Sequence, residues 1–227
     1  MADMTFATAW TQGRHLIDGP EGILEVLVDV PTVFPPRGLA IVAHPQPLLG
    51  GSAQHKVPHF LAKSLTEAGW LVVRPNFRGV GGSAGVHDGG NGEANDLLWL
   101  TQTLREQLRP RSLSLIGVSF GAYVQAKVAA QLQFQDQIAG HVILAAMPWG
   151  EVEGGRRYDT PQAITNALVI HGELDERVPL AAVLEWARVG SQVVSVIPGS
   201  DHLFTGKLPT LRKLILDFLS VPGHLIS

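Results

Sequence analysis

Cysteine is absent from this 227-residue chain, and the absence removes several chemistries at once. A disulfide framework, a thiolate nucleophile and a cysteine-ligated metal are all excluded. Long apolar runs are missing too, and none approaches the ~18–20 residues that a membrane helix needs. The N-terminal stretch holds Asp3 but neither a basic nor a long apolar segment, so no secretory leader is expected. Basic runs are also lacking. Lys and Arg number 17 against 20 Asp and Glu, a formal charge of −3 that offers nucleic acid or an anionic membrane no electrostatic footprint. The expectation is a cytoplasmic protein whose partner is a small-molecule substrate, with no nucleic acid and no membrane. Composition leaves the oligomeric state open.

What is present is a strong alternation. The length and the apolar share of 45% suit one α/β domain spanning residues 1–227 better than two small ones. Short β-branched runs predict strands at 23–30, 38–44, 70–74, 112–117, 141–146, 167–171 and 192–197. Segments of helical period between them predict helices at 56–68, 93–108, 122–132, 180–189 and 211–219. The runs LSLIG and ALVIHG are apolar on both faces, as parallel strands covered on both sides are. The fold class is therefore α/β, a mostly parallel central sheet flanked by helices with right-handed crossovers. Residues 1–30 are expected to add antiparallel edge strands rather than a second domain.

The strongest local signal is Gly117-Val118-Ser119-Phe120-Gly121, which follows a predicted buried strand and opens a predicted helix. A serine there sits on a strained strand-to-helix turn, and glycines two places to either side let neighbouring backbones approach without a Cβ clash. The helix N-terminus adds free N–H groups near the serine. Five such residues can arise by chance among 25 glycines. The strand before and the helix after make the nucleophile reading the stronger one.

A hydroxyl nucleophile needs a base, and the base needs an orienting acid. On a sheet of this kind they follow the serine along the chain, acid first, on loops at later strand ends. Glu173, Asp175 and Glu176 compete for the acid on the loop after the 167–171 strand. Asp175 is preferred because it precedes the Val178-Pro179 step into a helix. Asp201 is disfavoured because side chains adjacent in sequence to His202 usually diverge from it, and a turn-shaping role suits it better. Nine histidines compete for the base. His202 is preferred because it follows the last clear strand and precedes the C-terminal helix. His44 and His171 also end strands, where loop-shaping hydrogen bonds are the expected role.

Two decoys are set aside. Gly79-Val80-Gly81-Gly82-Ser83-Ala84 nearly spells a dinucleotide fingerprint, but residues 85–92 are loop-like where a helix N-terminus would have to meet the pyrophosphate. His44, His55 and His59 cluster in sequence without a carboxylate at ligand spacing, and triad chemistry needs no metal. No metal and no cofactor are expected.

Taken together, the motifs resemble the α/β-hydrolase superfamily, and more narrowly the small bacterial predicted hydrolases related to dienelactone hydrolases and carboxylesterases. The residues that carry the resemblance are His44-Pro45-Gln46-Pro47 with Gly50-Gly51, residues 76–83, Gly117-Val118-Ser119-Phe120-Gly121, His171-Gly172-Glu173-Leu174-Asp175 and Asp201-His202-Leu203-Phe204. The resemblance implies catalytic Ser119, Asp175 and His202. It implies an oxyanion hole from the backbone N–H of Phe120 and a second from the loop after the 38–44 strand. There Pro45 and Pro47 have no N–H, which leaves Gln46. Dienelactone hydrolases use a cysteine, so that particular activity is not implied. The stretch 147–161 is too short for a large lid, although Trp149 and Tyr158 are candidates to wall a pocket. His44, Leu48, Trp149 and Phe204 are the pocket residues expected beside the triad. The implied function is a serine hydrolase of carboxylesterase type that cleaves a small ester through an acyl-enzyme. A thioesterase, lactonase or amidase with the same triad is the alternative, and a non-catalytic binding protein on this fold is disfavoured by the intact residue order.

Overall fold

The computed structural model describes residues 10–221. In chain order these form β1 (Gly13–Gly19), β2 (Gly22–Asp29), β3 (Leu39–Ala43), a 3-10 turn (Pro47–Leu49), α1 (Lys56–Glu67), β4 (Leu71–Pro75), α2 (Asn91–Leu108) and β5 (Leu113–Val118). There follow α3 (Phe120–Phe134), β6 (His141–Ala145), β7 (Gly150–Val152), β8 (Arg156–Tyr158), β9 (Ala167–Gly172), α4 (Leu180–Gly190), β10 (Val194–Ile197) and α5 (Leu208–Ser220). Eight strands build one sheet in the order β1-β2-β4-β3-β5-β6-β9-β10. From β4 to β10 every pairing is parallel, while β1 and β2 pair antiparallel with each other and β2 antiparallel with β4. β1 and β2 thus extend the sheet at one edge, and residues 1–9 lie outside the described residues. No helix among the described residues is long and apolar enough to cross a membrane.

The double-sided hydrophobicity of the central strands has a direct cause in the layering. Leu39, Ile41 and Ala43 of β3 enter one core with Leu97, Leu100 and Leu104 of α2 and Val124 and Val128 of α3. The intervening Ala40 and Val42 enter the other core with Leu61 and Leu65 of α1 and Leu211 and Ile215 of α5. Side chains alternate across a strand, so a strand between two helical layers must be apolar at every position.

The strand order also places the site. β3 lies between β4 and β5, so the chain leaves it to one side and later returns on the other. Ligands in open α/β sheets bind at such a switch point, beyond the carboxyl ends of the strands. Here Ala43 pairs with Gly117, which sets the loop after β3 beside the turn after β5. Ile197 pairs with Gly172, which sets the loops after β9 and β10 side by side.

Two departures from the predicted elements have physical reasons. The helix predicted from residue 93 begins at Asn91, because Glu93 Oε2 accepts from Gly90 N at 2.8 Å and Asp88 Oδ1 accepts from Gly92 N at 2.9 Å. Both carboxylates satisfy N–H groups that a helix start leaves unpaired. Within 147–161 the sequence suggests no element, yet β7 and β8 form a small hairpin. Its strands of 3 residues are too short to show a period, and its turn rests on Gly154 and Gly155 at φ 82° and 71°.

Candidate active site

Ser119 ends up on a turn that few residues tolerate. Its φ of 55° and ψ of −123° lie outside the usual regions for an L-residue, a strain of roughly 1–3 kcal/mol. Packing enforces it. Ser119 N donates to Ala145 O of β6 at 2.8 Å, and α3 begins at the very next residue. The flanking glycines are steric necessities. A Cβ at Gly117 would lie 2.3 Å from Gly121 O, and one at Gly121 would lie 2.4 Å from Ala43 O of the neighbouring strand.

The structure brings Ser119, His202 and Asp175 into one line. Ser119 Oγ lies 2.8 Å from His202 Nε2, and His202 Nδ1 lies 2.7 Å from Asp175 Oδ2. A carboxylate only accepts, so the ring proton sits on Nδ1 and the lone pair of Nε2 faces the serine hydroxyl. The arrangement can draw the proton from Ser119 and stabilise the imidazolium that results. Asp175 is itself held, since Oδ1 accepts from Arg177 N at 3.0 Å and from Val178 N at 2.9 Å. All three side chains are buried.

The rival carboxylates have other engagements. Glu173 accepts from Gly199 N at 2.8 Å and so ties the β9 loop to the β10 loop. Asp201 accepts from Thr205 N at 2.8 Å, a turn contact, and Glu176 is exposed. The two loops run so close that a Cβ at Gly172 would lie 2.5 Å from Ser200 O. His171 is fully buried. Its Nε2 donates to Val178 O at 2.9 Å and lies 3.3 Å from Asp175 Oδ2, and burial pushes its pKa down despite both neighbours.

The chain matches the alpha/beta hydrolase fold family over residues 48–167. It belongs to that family. This α/β hydrolase is also 37% identical to an alpha-beta serine hydrolase homologue from Coxiella burnetii, covering 92% of this chain and 98% of that one at a TM-score of 0.79. It is 35% identical to a serine hydrolase without lid from Xanthomonas campestris, covering 93% and 95% of the two chains, again at a TM-score of 0.79. An uncharacterized protein of Rickettsia prowazekii is 32% identical over 217 residues, 89% of this chain and 86% of its own length.

The hydrolase holds the loop after β3 through His44. His44 Nδ1 donates to Pro45 O at 2.7 Å, and Nε2 accepts from Phe77 N at 3.1 Å. The Pro45 carbonyl and the Gln46 N–H belong to one planar trans peptide and point in opposite directions, so fixing the first aims the second. Among the described residues neither Gln46 N nor Phe120 N donates to a protein acceptor. Burial pulls the His44 pKa from its ordinary 6.5 to about 4, with His55 lowering it further and the Pro45 bond opposing. The unfolded chain therefore takes up a proton near 6.5 that the folded chain refuses until about 4. Stability from this group is full above pH 6.5 and is lost as pH falls toward 4, a contribution on the order of 3 kcal/mol. Melting temperature should fall across that window. A folded His44→Asn variant should show a flatter fall, and an unchanged acid slope would remove His44 as its source.

A cavity of about 100 Å³ opens beside Ser119 and His202, lined among others by Gln46, Leu49, His55, Phe120, Arg156 and Tyr158. None of the four expected pocket residues lines it. His44 is buried with both ring nitrogens engaged. Leu48 is 69% exposed, because successive side chains in the 3-10 turn diverge and it is Leu49 that faces the cavity. Trp149 packs against the core, leaving Pro148 on the wall. Phe204 is fully buried in the core shared with α5. Sequence reasoning also missed Arg156 and Arg177, which line the cavity. The available signal was the Gly154-Gly155 turn, which folds β8 back over the site. Gln46 has a second contact that the sequence did not show: its Nε2 donates to Tyr158 Oη at 2.9 Å, joining the β3 loop to that hairpin.

Proposed function

We propose that this protein hydrolyses esters of small acyl groups through an acyl-enzyme, with Ser119 as nucleophile, His202 as general base and acid, and Asp175 as the orienting carboxylate. The observation that carries the reading is the unbroken buried chain of hydrogen bonds from Asp175 through His202 to Ser119, at 2.7 and 2.8 Å. Ser119 Oγ attacks the ester carbonyl as its proton passes to His202 Nε2. The oxyanion is held by the N–H groups of Phe120 and Gln46, which lack protein acceptors among the described residues. His202 then gives the proton to the departing alcohol. A water repeats the sequence in reverse and releases the acid. The small cavity and the short 147–161 segment support a small acyl group, because little enclosed apolar surface exists to reward a long chain.

A fluorophosphonate probe should label the protein at Ser119, and short-chain esters should be turned over. Absence of both from folded protein would overturn the reading. Thioester and amide analogues run beside the esters rank the bond preferred. The oxyanion assignment has its own test. An ester in place of the amide at Gln46 deletes the N–H with little change of shape, and kcat should fall by about 3–4 kcal/mol in barrier, several hundredfold. A wild-type rate in that folded variant would move the second donor elsewhere on the β3 loop. Gln46→Ala keeps the N–H but breaks the tie to Tyr158 Oη. Its loss should be smaller than that of the ester variant.

A further inference from the structure

The cavity beside Ser119 is electrostatically one-sided. Arg156 and Arg177 line it and no Asp or Glu does, although the chain as a whole has a formal charge of −3. The two arginines differ. Arg177 Nε lies 3.6 Å from Glu153 Oε2. Arg156 has no carboxylate at ion-pair distance among the described residues. Its Nε and Nη2 instead donate to Glu153 O at 3.3 and 2.9 Å, which tethers the guanidinium to the β7–β8 turn and leaves Nη1 uncommitted.

The neutral groups on the wall are donors as well. Tyr158 Oη accepts from Gln46 Nε2 at 2.9 Å, so the hydroxyl's own proton is available to another acceptor. His55 Nδ1 accepts from Val57 N at 3.5 Å, which puts the ring proton on Nε2. The surroundings change sign on the far side of His202. An adjoining groove shares Arg177, His202 and Leu203 with the cavity and adds Glu153, Glu176 and Asp201.

Resting on the hydrolase reading above, we propose that the cavity selects esters whose acyl group ends in a carboxylate, that is, short dicarboxylic half-esters, with Arg156 and Tyr158 as the carboxylate's partners. The acyl carbon must stay with Ser119 and the N–H groups of Gln46 and Phe120, which line the cavity and not the groove. The alcohol must leave past His202, which gives it the proton, and so enters the groove with the acidic rim. An anion therefore belongs on the acyl side. The cavity is small, about 100 Å³, so the link between the ester carbonyl and the carboxylate is short. Hydrolysis consumes one water and releases the dicarboxylate, the alcohol and one proton.

The test compares monomethyl succinate with methyl succinamate, which has the same heavy-atom count but no charge. The wild-type protein should favour the succinate in kcat/KM by on the order of tenfold or more, and added salt should shrink the preference. Arg156→Met should lower the ratio of the two kcat/KM values by roughly 10- to 100-fold, the worth of a charge-assisted contact, and Tyr158→Phe by less. Arg157 is the charge control. Its side chain is 72% exposed and does not line the cavity, so Arg157→Met should hold the ratio within about twofold. Calorimetric titration of Ser119→Ala with both esters reads binding without turnover. The succinate should bind more tightly, and the added Arg156→Met should abolish the difference. Turnover or binding with no preference for the succinate in the wild-type wall, or a preference that survives Arg156→Met, overturns the inference and leaves the hydrolase reading standing. Preferential binding without turnover of either ester, in protein that no fluorophosphonate labels, overturns the hydrolase reading and leaves the carboxylate site standing.

Discussion

Ser119→Ala should fold normally and lose about six orders of magnitude in kcat, the scale on which a triad serine acts. The fold should survive because the strained turn is held by main-chain contacts. Ser119 N still donates to Ala145 O, and Ser119 O still accepts from Ala122 N at 2.8 Å. Only the hydroxyl disappears, and with it the atom that forms the acyl bond. Water attacking in its place keeps the two free N–H groups, so a residue of roughly 10³–10⁴ over the uncatalysed rate should remain. Circular dichroism and a melting curve establish the fold, and a single-turnover assay reads the chemistry. Turnover near wild type in the folded variant would remove Ser119 as the nucleophile.

Asp175→Asn should be nearly as damaging, for a subtler reason. The amide oxygen can still accept from Arg177 N and Val178 N, which Asp175 Oδ1 holds at 3.0 and 2.9 Å, so the loop keeps its shape. The amide nitrogen then occupies the place of Oδ2, 2.7 Å from His202 Nδ1. Two donors cannot face each other, and the imidazole moves its proton to Nε2. Nε2 then donates toward Ser119 Oγ instead of accepting from it. A fall of about 10⁴ in kcat is expected, with KM little changed. Some loss of stability should accompany it, because the amide nitrogen also faces His171 Nε2, which donates to Val178 O at 2.9 Å and lies 3.3 Å from the place of Oδ2. A drop of less than about tenfold would mean that Asp175 does not set the tautomer of His202.

The three aligned residues were legible in the sequence because each stands just beyond a strand that hydrophobicity alone reveals. Ser119 follows LSLIGV, Asp175 follows ALVIHG, and His202 follows the last strand before the C-terminal helix. Glycine supplied the second clue, since Gly117 and Gly121 stand where backbones come within Cβ distance of one another. The pocket was not legible in the same way. Leu48 and Leu49 are neighbours of the same type, and only the phase of one 3-10 turn decides which of them faces the cavity. Phe204 looked like a wall residue from its place beside His202, yet a left-handed backbone at φ 56° accompanies its burial in the core.

The sequence by itself determined the layered α/β sheet, the strand-end loops and the chain order of serine, acid and base. Those features are local: a strand buried on both faces must be apolar throughout, and a serine turn between strand and helix must have small neighbours. Tertiary structure alone decided which side chains share the cavity. Arg156 reaches the site because a hairpin of 3-residue strands turns back at two glycines, and Arg177 because the acid loop curls round Asp175. Nothing in the spacing of Arg156, Gln46 and Ser119 announces that they meet. Their meeting depends on the order of strands in the sheet, in which Ala43 pairs with Gly117 and the β3 loop is carried to the nucleophile. Pairing of that kind is a long-range choice, made by the packing of the whole core rather than by any one segment.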